Sequence, residues 1–262
     1  MDLGIEGNTA LVTASSSGLG YASAEALAEE GVNVVINGRG QEKLDKAVEE
    51  LQKTAAGEVV GISADLSKEE DIVQLVNGTI EEFGTIDHLV TCVGGPPSKK
   101  FMETREEEWY AAFDTLLMSV VLLVQETQQY LKEGKGTIVN ITSISVKESI
   151  DDLVLSNSVR MGVIGLMKTL SRELAPEIRV NAVLPGYTET ERVKELLNQS
   201  IERGDIDDYQ EGLDDLSENT PLERIGQPEE LGDVVAFLSS ERSSYMTGVA
   251  VPVDGGWSRS NL

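Results

Sequence analysis

The sequence predicts an α/β fold: a single domain over residues 1–262, built on a parallel sheet of seven strands, doubly wound with helices on both faces. Three observations carry this. Short apolar runs alternate with longer segments of helical period, the signature of repeated strand-helix units. No linker, repeat or low-complexity tract interrupts that rhythm, and 262 residues with 40% hydrophobic content are enough to bury one sizeable core.

Taken in order, the strands are read at Thr9 to Thr13, Asn33 to Asn37, Val59 to Ser63, His88 to Val93, Gly136 to Ile141, Arg179 to Leu184 and Ala250 to Val253. Each is a short apolar run, as expected of strands covered on both faces. The segments between them have helical periodicity, at Gly18 to Glu30, Gln41 to Lys53, Lys68 to Phe83, Glu106 to Leu131, Leu155 to Leu174 and Glu229 to Leu238. One stretch departs from the rhythm. From Thr188 to Leu222 the chain is polar and acidic, with weak helical patterning around Arg192 to Ile201 and Asp208 to Leu216. Ligands of open parallel sheets sit outside the carboxyl ends of the strands, so an insertion there is placed as a substrate lid at 188–222.

Composition narrows the function. A net charge of −25 and a pI near 4.3 make nucleic acid and anionic membranes poor partners, because affinity for phosphate comes from Lys and Arg. Self-repulsion of this size is screened within about 3 Å in 1 M salt, so the acidity fits a high-salt habitat as well as an ordinary acidic surface. No run approaches the roughly 18 uninterrupted apolar residues of a membrane span, and the N-terminus lacks signal-peptide features, so a cytoplasmic location is expected. One cysteine, Cys92, and one histidine, His88, leave no disulfide and no ligand cluster for a metal; both are read as strand residues without chemistry.

The turn Thr13-Ala14-Ser15-Ser16-Ser17-Gly18-Leu19-Gly20 follows the first strand and opens the first helix. Gly18 and Gly20 allow a tight turn and a close approach to a ligand, while the helix N-terminus offers unpaired N–H groups to a pyrophosphate. A dinucleotide is expected here, held by Thr13, Ser15, Ser16, Ser17, Gly18, Leu19 and Gly20. Cofactor choice is read from Ile36-Asn37-Gly38-Arg39. With no acid at Asn37 or Gly38 for a ribose 2'-hydroxyl, and with Arg39 available for a 2'-phosphate, NADP is favoured over NAD. Ser17 supplies no second positive charge.

Ile138 to Ser143, Gly162-Val163-Ile164-Gly165-Leu166, Arg179-Val180-Asn181-Ala182-Val183-Leu184-Pro185-Gly186 and the ending Thr247 to Gly256 together resemble the short-chain dehydrogenase/reductase family, with the flavour of its 3-oxoacyl-carrier-protein reductase-like group. The resemblance covers Thr9 to Gly256 and implies a Rossmann-like domain assembled as a dimer or tetramer through its long helices and last strand. It implies that Asp65 and Leu66 contact adenine, that Gly94 ends the glycine segment after the fourth strand, and that Pro185, Gly186, Thr188 and Thr190 clamp the nicotinamide amide. Ala14 replaces the first glycine of the family's turn, a change tolerable at negative φ.

The same resemblance exposes a departure. A Ser at the Ser143 position is followed in the family by Tyr and then Lys, and those positions here are Ser156 and Arg160. The family's relay Asn aligns with Leu116. A Ser hydroxyl is far too weak an acid to imitate tyrosine, and Arg160 stays protonated, although it keeps the capacity to bind ribose hydroxyls or a developing alkoxide. The expectation is therefore an atypical oxidoreductase, exchanging hydride with a small-molecule carbonyl or alcohol, with Ser143, Ser156 and Arg160 at the catalytic positions. A non-catalytic dinucleotide-binding protein, acting as a cofactor sensor or assembly subunit, is the alternative, and a lyase or isomerase using Arg160 on an anionic substrate is a third. Tyr187 is read as an aromatic wall rather than a proton donor. A carrier-protein substrate would need Lys99, Lys100 and Arg105 to form a basic patch on this acidic surface.

Overall fold

A computed structural model describes residues 2–261. Its seven strands are β1 (Thr9–Val12), β2 (Asn33–Gly38), β3 (Val59–Ser63), β4 (His88–Thr91), β5 (Thr137–Ile141), β6 (Arg179–Pro185) and β7 (Ala250–Val253). They pair in parallel in the order β3-β2-β1-β4-β5-β6-β7. Strand order reverses between β1 and β4, so the crevice at their carboxyl ends is the place where such a sheet binds a ligand.

Successive side chains of a strand point to opposite faces, and the two cores follow that alternation. Leu11, Val35, Leu89 and Ile138 face one core with α3 (Glu69–Phe83), α5 (Ser119–Gly134) and α6 (Val154–Glu173). Val12, Ile36, Val90 and Val139 face the other, covered by α1 (Gly18–Glu29), α2 (Gln41–Leu51) and α9 (Pro228–Ser239). His88 sits buried at the opposite end of the sheet from the crevice, its ring nitrogens 3.0 Å from Asn8 Nδ2 and 2.9 Å from Thr137 Oγ1. Burial and then the charge of Arg179 lower its pKa to about 4, so the ring is neutral and structural.

One element differs in kind from the sequence reading. The segment expected as a single helix from Glu106 to Leu131 is α4 (Glu106–Phe113), a π-helical turn (Asp114–Met118) and then α5. Widening by one residue leaves the hydrophobic pattern nearly unchanged, which is why periodicity alone missed it. At 29 residues, Glu106–Gly134 is also long and apolar enough by composition to cross a membrane. Here it is a core helix, burying Leu116, Val120, Leu123, Val124 and Leu131 against the sheet and its neighbours. The acidic insertion is more ordered than its weak patterning suggested: α7 (Glu191–Arg203) and α8 (Tyr209–Glu218) start on the side-chain caps Thr190 and Asp208.

Candidate active site

The glycine-rich turn lies at the crevice, and its geometry is enforced by packing. A Cβ at Gly20 would lie 2.6 Å from the Ala14 carbonyl oxygen, so no other residue fits without moving the turn. Gly18 has φ +62, the left-handed region glycine adopts without strain. Ala14 does not have the negative φ expected of it: it sits at φ +45, with its N–H donating to Asn37 Oδ1 at 3.2 Å. The turn demands a left-handed residue there, and the alanine adopts it at a cost of about 1–2 kcal/mol.

Several expected cofactor residues act one step back. Thr13 Oγ1 donates to the Cys92 carbonyl at 2.8 Å and accepts from the Cys92 N–H at 2.9 Å, pinning the ends of β1 and β4 together. Ser15 Oγ donates to Val12 O at 2.6 Å and accepts from Asn37 N at 2.9 Å. Both side chains are fully buried, so they hold the turn and leave its backbone to face a ligand. Asn37 is committed likewise, donating to the carbonyls of Ile62 and Ala64 at 3.2 Å each.

At the far end of β2 the structure supplies what Ser17 lacks. Lys43, on the first turn of α2, donates its ammonium to Ser17 Oγ at 2.8 Å. Exposed Arg39 stands at the start of the same loop, so two cationic residues lie at the carboxyl end of β2. Asp65, after β3, accepts from Ser67 N at 3.1 Å and Ser67 Oγ at 2.8 Å, and these bonds hold its carboxyl below the usual range. Leu66 beside it is buried.

Across the crevice, Ser143 follows β5 and its Oγ accepts from Ser145 N at 3.1 Å. Capping is one of its roles, and the hydroxyl hydrogen remains available to an acceptor. Ser156 and Arg160 are one turn apart on α6 and both buried, 6% and 7% exposed. The Ser156 hydroxyl has no hydrogen-bond partner among the described residues. Arg160 reaches the end of β5, with Nη1 at 3.5 Å from Ile141 O, while its Nε is buried without a partner. Burial is the main cause that brings its pKa down to about 10, and the charge of Arg192 adds to it, leaving the guanidinium protonated at neutral pH. The Cys92 thiol beside it is pushed up to about 11 by burial. Leu116, 2% exposed, occupies the π-helical turn, where it fills space and offers no hydrogen bond.

The clamp after β6 is packed against the C-terminal segment. Gly186 lies so near Asp254 that a Cβ would come within 2.7 Å of its Cα, and Thr188 is buried beside it. Pro185 ends β6, and Thr190 meets the glycine turn, its Cγ2 3.7 Å from where a Gly18 Cβ would stand. Gly94 is exposed, with open space where a Cβ would point. Tyr187 stacks edge-on against Trp257 with ring centroids 5.7 Å apart. Burial and then the carboxylates of Asp215 and Asp151 raise its pKa, making it a poorer acid, as befits a wall.

Two arginines tie the acidic insertion to neighbouring loops. Arg203 reaches Asp152 at 3.5 Å, and Arg192 donates to the Pro96 carbonyl at 2.6 Å, a contact with no local sequence signal. A polar cleft of about 560 Å³ beside the insertion is lined by Lys99, Ile150, Asp151, Asp152, Asn157 and Asp205. The basic patch expected of a carrier-protein surface is partly offset: Glu108 lies 2.7 Å from Lys99 and 3.8 Å from Arg105, while Lys100 forms no ion pair among the described residues.

The residues fit a dinucleotide: a glycine turn with no room for a side chain at Gly20, two cations at the end of β2, and a buried guanidinium with an unpartnered Nε. Comparison with known proteins agrees. A family model described as enoyl-(acyl carrier protein) reductase matches residues 13–258. The chain is 35% identical to the 3-oxoacyl-[acyl-carrier-protein] reductase of Staphylococcus epidermidis, over 95% of this chain and 98% of that one. L-sorbose reductase from Gluconobacter frateurii, solved with NADPH and L-sorbose, superimposes with a TM-score of 0.93 at 30% identity, covering 99% of this chain and 100% of that one. Actinorhodin polyketide ketoreductase, solved with NADPH, gives 0.90 at 30% identity, covering 97% of this chain and 98% of that one.

Proposed function

The chain belongs to the short-chain dehydrogenase/reductase family of oxidoreductases, and from that premise we propose that it is an atypical NADP-dependent member, reducing a small carbonyl compound or oxidising the matching alcohol without the usual Tyr and Lys. The observation that carries this reading is Arg160: a protonated side chain, buried against the end of β5, the strand that Ser143 follows, with Nε unpartnered among the described residues. A buried unsatisfied donor calls for an acceptor that arrives with a ligand.

Bound in the crevice, the nicotinamide supplies a hydride to the substrate carbon, or takes one from it. The protein's part is to place the substrate and stabilise its oxygen. Ser143 and Arg160 donate to that oxygen as negative charge develops, an effect worth about 3 kcal/mol for oriented donors. Holding donor and acceptor carbons together supplies roughly 7–11 kcal/mol more. The proton comes from water in this scheme, since the Ser156 hydroxyl is too weak an acid and Tyr187 is a worse one than free tyrosine. A missing general acid costs about 10²- to 10⁴-fold, so slow turnover is expected rather than none.

Arg39 and Lys43 support NADP over NAD, as do the NADPH complexes of the two similar reductases. The Lys99 and Arg105 ion pairs favour a free small molecule over a carrier-bound one. The exposed Tyr110, Phe113 and Met161 on α4 and α6 support assembly as a homodimer or homotetramer. The test is NADPH and NADH consumption over a carbonyl panel, with Arg160→Ala. Turnover that falls at least tenfold while cofactor affinity holds supports the reading. Tight cofactor binding with no turnover by the native protein on any carbonyl points instead to a cofactor sensor.

A further inference from the structure

Arg192 ties α7 to the loop after β4, and its charge is met only by one exposed carboxylate. It leaves the first turn of α7, crosses the crevice and lies over the loop after β4. Its Nε lies 2.8 Å from where a Gly95 Cβ would stand, so the glycine is what lets the guanidinium approach. Its Nη2 donates to Pro96 O. The one carboxylate beside it is Glu195, 3.4 Å away on the surface, with a side chain 62% exposed. Such an exposed pair contributes little.

Arg160 stands at the neighbouring strand end, with Nη1 3.5 Å from Ile141 O at the end of β5, the strand paired with β4, and the charge of Arg192 disfavours its own. Among the described residues no carboxylate forms an ion pair with Arg160. The chain has 46 acidic residues against 21 basic ones, yet here two guanidiniums stand at the ends of adjacent strands and one of them has a buried donor without an acceptor among the described residues. Two like charges at a low-dielectric site repel each other until an anion comes between them.

We propose that Arg192 and Arg160 bind a carboxylate of the substrate, and hence that the substrate is a small 2-oxo acid or the matching 2-hydroxy acid. The proposal rests on the oxidoreductase reading and names its substrate class. In a 2-oxo acid the carboxylate is bonded to the reacting carbonyl carbon. The planar guanidinium of Arg160 is therefore able to span both groups, with Arg192 holding the outer carboxylate oxygen and Ser143 the reacting one. The step balances: the carbonyl carbon gains a hydride from NADPH, the oxygen gains a proton from water, and the products are the 2-hydroxy acid, NADP⁺ and a hydroxide that passes to the solvent. At a net charge of −25 the protein's field repels such a substrate, so selection for it comes from contact with the two arginines.

The experiment compares pyruvate, 2-oxobutanoate and 2-oxohexanoate with their methyl esters, as the ratio of kcat/KM for acid to that for ester. Binding of the acids to the NADP⁺-loaded protein is followed in parallel by calorimetry. The native protein is expected to favour acid over ester at least tenfold. Arg192→Gln is expected to lower that ratio and weaken acid binding by tenfold or more, whereas Lys194→Gln, which removes one exposed charge from the same helix, leaves both in place. A native ratio near one overturns the proposal, and so does an equal effect of Lys194→Gln. If Arg192→Gln weakens NADPH binding and leaves the ratio intact, the anion is a cofactor phosphate and the proposal falls. Acid binding that depends on Arg192 without turnover of acid or ester retains the carboxylate site and overturns the redox reading alone.

Discussion

The two walls of the crevice treat their polar groups in opposite ways. On the β1–β2 wall the fully buried hydroxyls and amide behind the turn are already bonded within the protein: Thr13 to Cys92, Ser15 to Val12 and Asn37, and Asn37 to Ala14, Ile62 and Ala64. On the β5–α6 wall, by contrast, lie Ser145 Oγ and Arg160 Nε, the buried side-chain atoms left without partners among the described residues. Buried polar groups are nearly always satisfied, so an orphan calls for an explanation. The first wall is a finished scaffold that presents backbone to a dinucleotide. The second keeps donors that the protein itself does not satisfy among the described residues.

The largest expected effect comes from removing the orphan. Replacing Arg160 by Met keeps the packing and deletes a buried charge with no counter-ion, a change that is neutral or stabilising by up to about 4 kcal/mol for buried ionic groups. Catalysis moves the other way, since losing the donor to the reacting oxygen costs roughly 10²-fold or more in kcat. Arg160→Met is therefore expected to unfold at the same or a higher temperature while turnover collapses. Thermal unfolding and steady-state rates on the same sample decide it. A variant that loses stability along with activity would make Arg160 a structural residue and erase the contrast between the walls.

That contrast was only half legible in the sequence. The seven strands were readable because each is a short apolar run covered on both faces, and the Gly18 and Gly20 turn because glycine at a strand-helix junction has few other uses. Ser143 and Arg160 could be placed at the second wall from flanking segments, but no spacing reveals that Arg160 Nε lacks a partner. Lys43 was invisible for a related reason: an exposed lysine in an acidic helix looks like a solvated charge until α2 folds back and sets it on Ser17. Arg192 likewise acquires meaning only when α7 packs over Pro96, 96 residues away in sequence. The φ of Ala14 escaped because residue type constrains a dihedral without fixing it.

Lys43 offers a smaller and cleaner perturbation of the first wall. If it borders a 2'-phosphate, Lys43→Ala removes one partly screened charge contact, expected to weaken NADPH by about tenfold at low salt and NADH hardly at all. Fluorescence titration with both cofactors reads the difference directly. Equal losses would mean that Lys43 only braces Ser17 and the turn, and the discrimination would rest on Arg39 alone.

The smallest effect tests how finished that wall is. Ala14 holds φ +45 beside the tightest contact of the turn, the Gly20 approach to its carbonyl. Glycine at this position relieves about 1–2 kcal/mol of left-handed strain and costs up to about 1 kcal/mol in unfolded-chain entropy, a net gain near 1 kcal/mol or less. For a domain of this size that raises Tm by about 2–4 °C at most. If the strained alanine also stiffens the turn for the cofactor, Ala14→Gly weakens NADPH slightly as Tm rises, because glycine readmits conformations the native turn excludes. A fall in Tm would instead show that the left-handed alanine is tolerated without strain, and that the first wall owes its rigidity to the hydrogen bonds of Thr13, Ser15 and Asn37 alone.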